Sequence, residues 1–360
     1  MSPGGHRGAT KNPPGRFEVL HVEPDPDARV WADAPADPED TTPSRGEPTL
    51  YFRDASRSII TSNDSPDVPF DRSINPYRGC EHGCIYCYAR PTHEYFGLSA
   101  GLDFETRIFV KPRAPELLRA ELSRRSWKPR LLAMSGVTDP YQPIERRLEI
   151  TRGCLQVLSE FRNPVGVITK SALVTRDLDI LAELAAHRTV SVTLSITTLD
   201  EDVRRAMEPR AATAERRFEA LAQLRERDIP AGVSIAPVVP GLTDHEMAPI
   251  LSRAARAGAQ YAHFIVLRLP YGVKDLFEAW LDEHFPDRKR KVLNRVRDLR
   301  GGKLTAPAFG ERMRGAGVWA DTIADMFHAA RKQAGIPARH PELSTAAFRK
   351  VTGQPRLFEG

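Results

Sequence analysis

Three of the four cysteines in this chain lie within eight residues, and this spacing is the strongest chemical signal in the sequence. They are Cys80, Cys84 and Cys87, in a C-x3-C-x2-C arrangement. Thiolates are the ligands that soft metals and iron–sulfur clusters prefer. Gly83 lies between the first two of these cysteines and lets the backbone curl, so that the three thiols can point toward one centre. A disulfide framework is not expected, because cysteines are few and the N-terminal residues contain no apolar leader segment.

Two kinds of metal site could use these thiols. A four-iron cluster normally takes four thiolates, so three would leave one iron open for a catalytic role. A structural zinc ion would need a fourth ligand, for which His82 or His93 is available. Closed zinc sites usually combine two pairs of ligands, and no second Cys/His pair stands at that spacing. The spacing therefore favours an iron–sulfur cluster, with structural zinc as the alternative.

The cysteine motif, with Tyr86 directly before its last cysteine, resembles the signature of the radical S-adenosylmethionine (SAM) superfamily. The resemblance implies that the three cysteines hold a [4Fe–4S] cluster, whose fourth iron is chelated by the amino and carboxylate groups of SAM. It also implies reductive cleavage of SAM to methionine and a 5′-deoxyadenosyl radical, which abstracts a hydrogen atom from a substrate. Such an enzyme needs an electron donor, for which flavodoxin or ferredoxin is the expected partner.

The neighbouring sequence is similar to one branch of that superfamily, the spore photoproduct lyase-like proteins. The resemblance covers roughly residues 73–270 and is greater to poorly characterised bacterial members than to the lyase itself. The segments that carry it are residues 75–80, 88–90, 138–145, 208–210 and 237–244.

One departure from the lyase concerns the hydrogen donor. The lyase returns a hydrogen atom to its product radical from a cysteine near the segment that matches residues 134–139, and this chain has no cysteine there. The spare thiol, Cys154, has apolar neighbours at helical spacing, which predicts a packing role in an amphipathic helix. Direct photoproduct repair is therefore not expected, unless a tyrosine near the cysteines, such as Tyr95, acts as the donor.

Polar side chains at the ends of predicted strands are candidates for binding SAM. The resemblance implies this role for Thr138, Lys170 and Ser195, and it implies that Tyr86 packs near the adenine. The full set of candidate cofactor-binding residues is Tyr86, Thr138, Asp139, Lys170, Ser195 and Arg217. The alternative is that these are ordinary strand-end residues that cap helices or close turns, and that Arg217 forms a common ion pair.

The elements that must position these groups are apolar runs of strand length alternating with helical patterns. Such alternation is typical of parallel βα units, and six of them fit the partial (β/α)6 barrel of the superfamily, so the expected fold class is α/β. In such a barrel, chemistry gathers at the carboxyl ends of the strands. The predicted strands are residues 73–77, 131–134, 165–169, 190–196, 232–239 and 262–267. The predicted helices are residues 115–125, 144–160, 177–186, 213–227, 244–257 and 274–283.

The chain divides into four expected parts. Residues 1–47 are rich in proline and are expected to form a flexible or loosely docked arm, in which residues 16–20 could attach as one segment. Residues 48–72 lead into a barrel of residues 73–285. Residues 286–360 form a helical C-terminal extension, whose basic stretch could contact phosphates or could be a plain surface helix, and whose residues 354–358 could dock.

Composition limits the function only broadly. The chain has 52 Lys+Arg against 47 Asp+Glu, a net charge of +5, which permits a DNA or RNA partner without requiring one. No apolar run approaches the roughly 20 residues of a membrane span, so a cytoplasmic protein is expected. Two function classes stay open: a radical SAM enzyme that acts on a nucleic acid, nucleotide or other macromolecule, and a non-catalytic metal-binding or nucleic-acid-binding module. The combination of motif, aromatic residue and strand-end polar groups favours the enzyme.

Overall fold

The main β-sheet has six parallel strands that lie side by side in the order in which they occur in the chain. The structure is a computed structural model and describes residues 7–17, 47–305 and 308–351. A short antiparallel strand, β2, pairs with β3 at one edge. This strand order is that of the expected partial (β/α)6 barrel, and the predicted α/β fold class is confirmed. The strands of this sheet are β2 (Ile60–Ser62), β3 (Arg72–Ile74), β6 (Leu132–Met134), β7 (Val165–Thr169), β8 (Val190–Ser195), β9 (Ala231–Val238) and β10 (Ala262–Val266).

Helices follow or connect most of the strands and cover the sheet. Buried valines on β7 and β8, such as Val167 and Val192, face one continuous apolar cluster that also includes Leu158 of α4 and Leu221 of α7. Strands buried on both faces are typical of parallel sheets. The helices are α1 (Asp103–Thr106), α2 (Ala114–Ser123), α3 (Glu145–Leu148), α4 (Ile150–Phe161), α5 (Leu178–Ala186), α6 (Glu201–Met207), α7 (Ala214–Glu226), α8 (Met247–Arg256), α9 (Val273–His284), α10 (Pro286–Asp298) and α11 (Val318–Gln333).

The first predicted strand, residues 73–77, is wrong in extent. It is divided at Asn75 and Pro76, because proline has no amide hydrogen and restricts the residue before it. The chain then enters a second, three-stranded sheet with the order β1–β5–β4, which the sequence did not predict. The strands of this small sheet are β1 (Leu50–Arg53), β4 (Tyr77–Arg78) and β5 (Arg107–Val110).

The predicted helix over residues 144–160 is also divided, into α3 and α4. Glu149 separates them with a φ of 50°, in the left-handed region. The carboxylate of Glu145 accepts a hydrogen bond from the amide of Thr151 at 3.0 Å, and so caps the first turn of α4. The break therefore has a local cause, which is that a buried side chain of α3 starts the next helix.

Two helices, α10 and α11, lie within the predicted C-terminal extension, and α10 shares an apolar cluster with the cysteine loop, residues 80–87. A second apolar cluster joins Ile85 and Tyr86 of this loop to Phe277 of α9 and to Val292 and Val296 of α10. The apolar stripe of α10 thus packs against the protein, while residues such as Arg290 on its other face are exposed. Among the described residues, no helix combines the length and the apolar character needed to cross a membrane.

Residues 7–17 of the N-terminal arm lie against the cysteine loop. The backbone amides of Gly8 and Ala9 donate hydrogen bonds of 2.9 and 2.8 Å to the two carboxylate oxygens of Glu105. A Cβ atom on Gly8 would come within 1.6 Å of the carbonyl oxygen of Gly83, so only glycine permits this approach. The predicted arm is therefore firmly docked over this stretch.

Several predictions concern residues that the structure does not describe. They are the rest of the arm (residues 1–6 and 18–46), including most of the predicted docking segment 16–20, and the C-terminal docking residues 354–358.

We expect Gly8→Ala to destabilise the protein, because its methyl group cannot fit against the Gly83 carbonyl. The arm must then move away from Glu105 and leave a buried carboxylate with fewer donors, at a cost of about 1–3 kcal/mol. Chemical denaturation measures the free energy of unfolding, and limited proteolysis measures release of the arm. Gly15→Ala is the control, because its new Cβ atom would meet no atom closer than 3.7 Å. Equal behaviour of the two variants would show that the contact does not hold the arm.

Candidate metal and cofactor site

The three cysteines lie on a tight loop directly after β4. Cys80 and Cys84 are buried and Cys87 is partly buried. Gly79 and Gly83 have φ values of 77° and 67°, which confirms the expected role of Gly83 in curling the loop. Gly83 also has no room for a side chain, since a Cβ atom would lie 2.7 Å from a carboxylate oxygen of Glu105. Backbone conformation and close packing therefore both fix the shape of the loop.

A fully buried ion pair, Arg90 with Glu105, supports one side of the cysteine loop. The Arg90 guanidinium also donates to the carbonyl oxygens of Cys84 at 3.0 Å and Gly83 at 3.2 Å. Two further bonds go to the carbonyl oxygens of Ala100 and Gly101. One arginine therefore ties the cysteine loop to the segment before α1.

The segment after β6 supports the opposite side of the loop. The Thr138 hydroxyl donates to the Gly79 carbonyl oxygen at 2.6 Å, and Gln142 Nε2 donates to Thr138 Oγ1 at 3.0 Å. Gln142 Oε1 accepts from the amide of Glu81 at 3.0 Å. The Glu81 carboxylate in turn accepts from the amide of Ile144 at 3.0 Å. The side chain of Thr138 is thus engaged in holding the loop.

The partners of Asp139 are the end of β7, its own turn and the cysteine loop. Its carboxylate accepts from the Thr169 hydroxyl at 2.7 Å and from the backbone amides of Lys170 at 2.8 Å and Tyr141 at 2.9 Å. His82 Nδ1 lies 3.3 Å from the same carboxylate. Burial by itself would raise the pKa of Asp139, but His82, the Thr169 hydroxyl and the Lys170 amide lower this pKa to about 2. These contacts match the alternative in which Asp139 closes a turn instead of binding SAM.

The other histidine considered as a zinc ligand, His93, belongs to the packing around the loop. Its ring is fully buried 5.2 Å from the ring of Phe104, and its Nε2 lies 2.9 Å from the Arg107 carbonyl oxygen. Burial lowers the pKa of His93 to about 4, so the ring is neutral at physiological pH.

The electrostatic environment shows that the three thiols and Lys170 are close neighbours. Burial is the main cause that raises the pKa of all three thiols, to about 12 for Cys84. The Asp139 carboxylate and the other two thiols raise the pKa of Cys80 further, whereas the positive charge of Lys170 lowers the pKa of Cys84 and Cys87. Deprotonation of thiols in such a place needs additional positive charge, which a bound metal centre provides.

Glu208, at the end of α6, is the centre of a buried network beside the loop. Its carboxylate accepts hydrogen bonds from the hydroxyls of Tyr86 and Thr197 and from Arg217, the last at 2.5 Å. Arg217 also donates to the carbonyl oxygen of Ser195 at 2.7 Å. Burial would raise the pKa of Glu208, but Arg217 and then Lys170 lower this pKa to about 2. The network therefore contains a charged carboxylate and a charged guanidinium away from water.

The structure brings together four of the six predicted cofactor-binding residues. Arg217 donates to the Glu208 carboxylate and to the backbone carbonyl oxygen of Ser195, and the Tyr86 hydroxyl donates to Glu208. The Lys170 ammonium lies 5.7 Å from the centre of the Tyr86 ring. Of the other two, Thr138 donates to the Gly79 carbonyl oxygen beside the cysteine loop, and Asp139 accepts from the backbone amide of Lys170.

Tyr95, the candidate hydrogen donor, lies at the surface with 66% of its area exposed. Its ring stacks on Phe17 of the arm at 5.0 Å. Tyr88 is nearer in sequence to the cysteines, directly after Cys87, and is half exposed. Cys154 is fully buried in α4, which confirms its predicted packing role.

The sequence assigned no specific role to Glu208, Arg90 or Glu105. Glu208 and Arg90 each had one usable signal, since residues 208–210 and 88–90 were among the segments similar to the lyase-like branch. The pairing of Arg90 with Glu105 had no sequence signal, because it depends on how the chain returns to the loop in three dimensions.

The fold and this site define a class of enzyme. A sequence model described as the radical SAM superfamily matches residues 74–254, and the chain belongs to that superfamily. It is a radical SAM enzyme.

The chain is also similar in sequence to several proteins and in fold to solved structures. Uncharacterized proteins of Mycobacterium tuberculosis and Mycobacterium bovis are 35% identical over 250 residues, 69% of this chain and 72% of theirs. An uncharacterized protein of Methanocaldococcus jannaschii is 27% identical, over 62% of this chain and 80% of its own. The fold is similar to that of spore photoproduct lyase complexed with dinucleoside spore photoproduct, with a TM-score of 0.55, 16% identity and 79% of each chain covered.

We expect Glu208→Gln to lower the free energy of unfolding by about 3–5 kcal/mol, because it leaves Arg217 buried without an opposite charge. The pKa of Glu208 is depressed from 4.5 to about 2. The stabilisation is therefore complete at neutral pH and declines as the pH falls from about 4.5 toward 2. Chemical denaturation at several pH values measures both effects. Glu215→Gln, which removes an exposed partner of Arg253, should cost less than about 1 kcal/mol. If Glu208→Gln also lowers the free energy of unfolding by less than about 1 kcal/mol, the Glu208 network is not a main source of stability.

Proposed function

We propose that Cys80, Cys84 and Cys87 hold a [4Fe–4S] cluster and that the enzyme reductively cleaves SAM to a 5′-deoxyadenosyl radical for hydrogen abstraction. The observation that carries this proposal is the burial of three neighbouring thiols on one loop, beside Lys170 and Tyr86. When bound, the cluster supplies the electron that cleaves the sulfonium of SAM. The electron itself would come from a protein such as flavodoxin or ferredoxin.

The donor set fits a cluster better than a single zinc ion. In the part of the chain that the structure describes, no three His, Cys, Asp or Glu side chains converge closely enough to bind one ion. A cluster distributes its ligands over several irons, so its thiolates need not meet at one point. The two histidines nearest the loop lie against Asp139 and the Arg107 carbonyl.

The chain's own residues would bind and orient SAM on the side of the loop where Glu208 lies. Lys170 offers a positive charge to a carboxylate, and Ser195 lies at the end of β8, where a parallel barrel presents its polar groups. The Tyr86 ring, held by its hydroxyl contact with Glu208, offers an apolar face for the adenine. Because Arg217 already binds Glu208 and Ser195, we assign it the role of holding this wall in place.

The substrate is proposed to be a phosphate-bearing molecule, with nucleic acid as the leading class. The net charge of +5 permits such a partner. One structure with a similar fold is a spore photoproduct lyase with bound AdoMet and dinucleoside spore photoproduct, with a TM-score of 0.54 and 16% identity. Residues 134–139 lack the donor thiol and Cys154 is enclosed in α4, so a reaction other than direct photoproduct repair is favoured.

We expect anaerobically reconstituted protein to bind about four irons and four sulfides. Alanine in place of Cys80, Cys84 or Cys87 should abolish the cluster absorbance, while Cys154→Ala should keep it, since that thiol only packs in the core. With dithionite and SAM, the unchanged protein should release 5′-deoxyadenosine, which chromatography measures. Zinc that iron cannot replace would contradict the cluster. A complete cluster without 5′-deoxyadenosine would favour the non-catalytic module.

We expect Lys170→Ala to weaken SAM binding by about tenfold or more, because a charge-assisted contact to the SAM carboxylate is lost. The cluster should still assemble, and equilibrium dialysis with labelled SAM measures the affinity. Lys289→Ala removes the same charge from α10, where the lysine pairs with Asp282, and should leave binding unchanged. Unchanged affinity in Lys170→Ala, with a normal cluster, would leave Lys170 as a structural strand-end residue.

A further inference from the structure

A strongly basic cavity opens beside the cysteine loop, at the carboxyl end of β10. It has a volume of about 510 Å³. Three parts of the chain form it: the arm, the segment between β10 and α9, and the segment after α10. Its principal residues are Arg16, Arg268, Tyr271, Lys274, Arg300 and Arg312.

Carboxylates neutralise some of these cations. Arg16 pairs with Glu94 at 2.6 Å, and Arg312 pairs with Asp67. Lys274, on the exposed rim, lies 3.9 Å from Asp275. These pairs account for the cations at the edges of the cavity.

The remaining two cations, Arg268 and Arg300, have a different environment. No carboxylate of the described residues forms an ion pair with either of them. Arg300 donates to the carbonyl oxygens of Glu311 at 2.7 Å and Leu267 at 2.9 Å, and Arg268 contacts the sulfur of Met313 at 3.2 Å. Burial and then Arg268 lower the pKa of Arg300 to about 10. Arg268 and Arg300 repel each other, and although Asp67 and Glu311 attract them from a distance, a bound anion would relieve this repulsion.

One residue of the cavity, Arg268, lies near the proposed radical site. The Arg268 guanidinium lies 5.1 Å from the centre of the Tyr88 ring, and Tyr88 follows Cys87 in the chain. Tyr271, on the other side, is 59% exposed and carries the Arg16 guanidinium 3.7 Å from its ring centre. Exposed aromatic rings beside cations are the combination that binds single-stranded nucleic acid, because rings stack with bases and cations contact phosphates.

A second cavity, of about 310 Å³, is also lined by arginines. There, however, Arg204 and Arg205 pair with Glu201, and Arg210 pairs with Glu81. Its positive charge is therefore largely used within the protein.

We propose that the cavity at the end of β10 binds a phosphodiester of a single-stranded nucleic acid substrate, with Arg268 and Arg300 as the residues that receive the phosphate. The inference rests on the proposed function in one respect, that the bound strand lies next to the radical site. It differs from the expectation drawn from the basic sequence of α10, because the anion is received in a built cavity and not on the exposed face of a helix. The arm takes part, since Arg16 forms one wall.

The test is fluorescence anisotropy of a labelled oligodeoxythymidylate with the full-length, reconstituted protein over a range of salt concentrations. Arg268→Gln should weaken binding by about tenfold and reduce the salt slope by about 0.7. Arg268→Lys should keep most of the salt slope. Arg290→Gln is the matched control, because it removes the same charge from the exposed face of α10, and it should change affinity by less than about twofold.

A second variant covers the case in which Arg268→Gln does not fold, as judged by thermal melting and cluster absorbance. Lys274→Gln lies on the exposed rim and should weaken binding by about threefold without affecting folding. Equal losses in Arg290→Gln and Arg268→Gln would overturn the proposal in favour of the basic helix. Unchanged affinity in both Arg268→Gln and Lys274→Gln would also overturn it.

Competition distinguishes a nucleic acid from a smaller phosphate compound. Unlabelled oligodeoxythymidylate should compete well, while thymidine monophosphate and inorganic phosphate should need far higher concentrations. Competition by the monophosphate at equal concentration would replace the nucleic acid with a nucleotide-sized ligand. Binding needs no turnover, so the two proposals can be contradicted separately. Release of 5′-deoxyadenosine without Arg268-dependent binding would contradict only the nucleic-acid site. Arg268-dependent binding without 5′-deoxyadenosine release would contradict only the proposed function.

Discussion

The buried pair of Arg90 and Glu105 is the contact on which the arrangement around the cysteines depends. A guanidinium and a carboxylate without any exposure are tolerated only because they neutralise each other and use their remaining hydrogen-bonding atoms. Arg90 uses its remaining donors on carbonyl oxygens of the cysteine loop, including that of Cys84. Glu105 uses its remaining acceptors on the amides of Gly8 and Ala9. One ion pair thus joins the loop, the arm and the segment before α1.

On the opposite side of the loop, charge is again buried in order to hold a shape. Glu208 binds Arg217 and the Tyr86 hydroxyl, so the aromatic residue of the cysteine motif has a fixed position. Lys170 completes this wall with an ammonium group that forms no hydrogen bond or ion pair with the residues that the structure describes. Arg217 is engaged by Glu208 and Ser195 and is therefore a positioning residue. The Lys170 ammonium remains available and is therefore the proposed binding residue. This difference also explains why one network can be rigid and still present a cation to a ligand.

The barrel ends in a surface to which distant parts of the chain contribute. The arm supplies Arg16, the segment after β10 supplies Arg268, and the segment after α10 supplies Arg300. In sequence, these arginines are separated by more than two hundred residues or stand among many other basic residues. Their common feature, a position in the wall of one cavity, exists only in the folded protein. The basic character of α10, which is visible in the sequence, lies instead on an exposed helical face.

The sequence by itself determined the cysteine loop and the positions of most parallel strands, because both depend on local information. Thiol spacing and a glycine act over a few residues, and apolar runs mark strands such as β7 without reference to their neighbours. It also identified Lys170 as a strand-end cation. Only the tertiary structure decided that Thr138 supports the cysteine loop, that Glu208 organises a buried network beside it, and that Arg90 meets Glu105. The physical reason is that a buried charge is stable only beside its partner, and partners brought together by folding leave no periodic pattern in the chain.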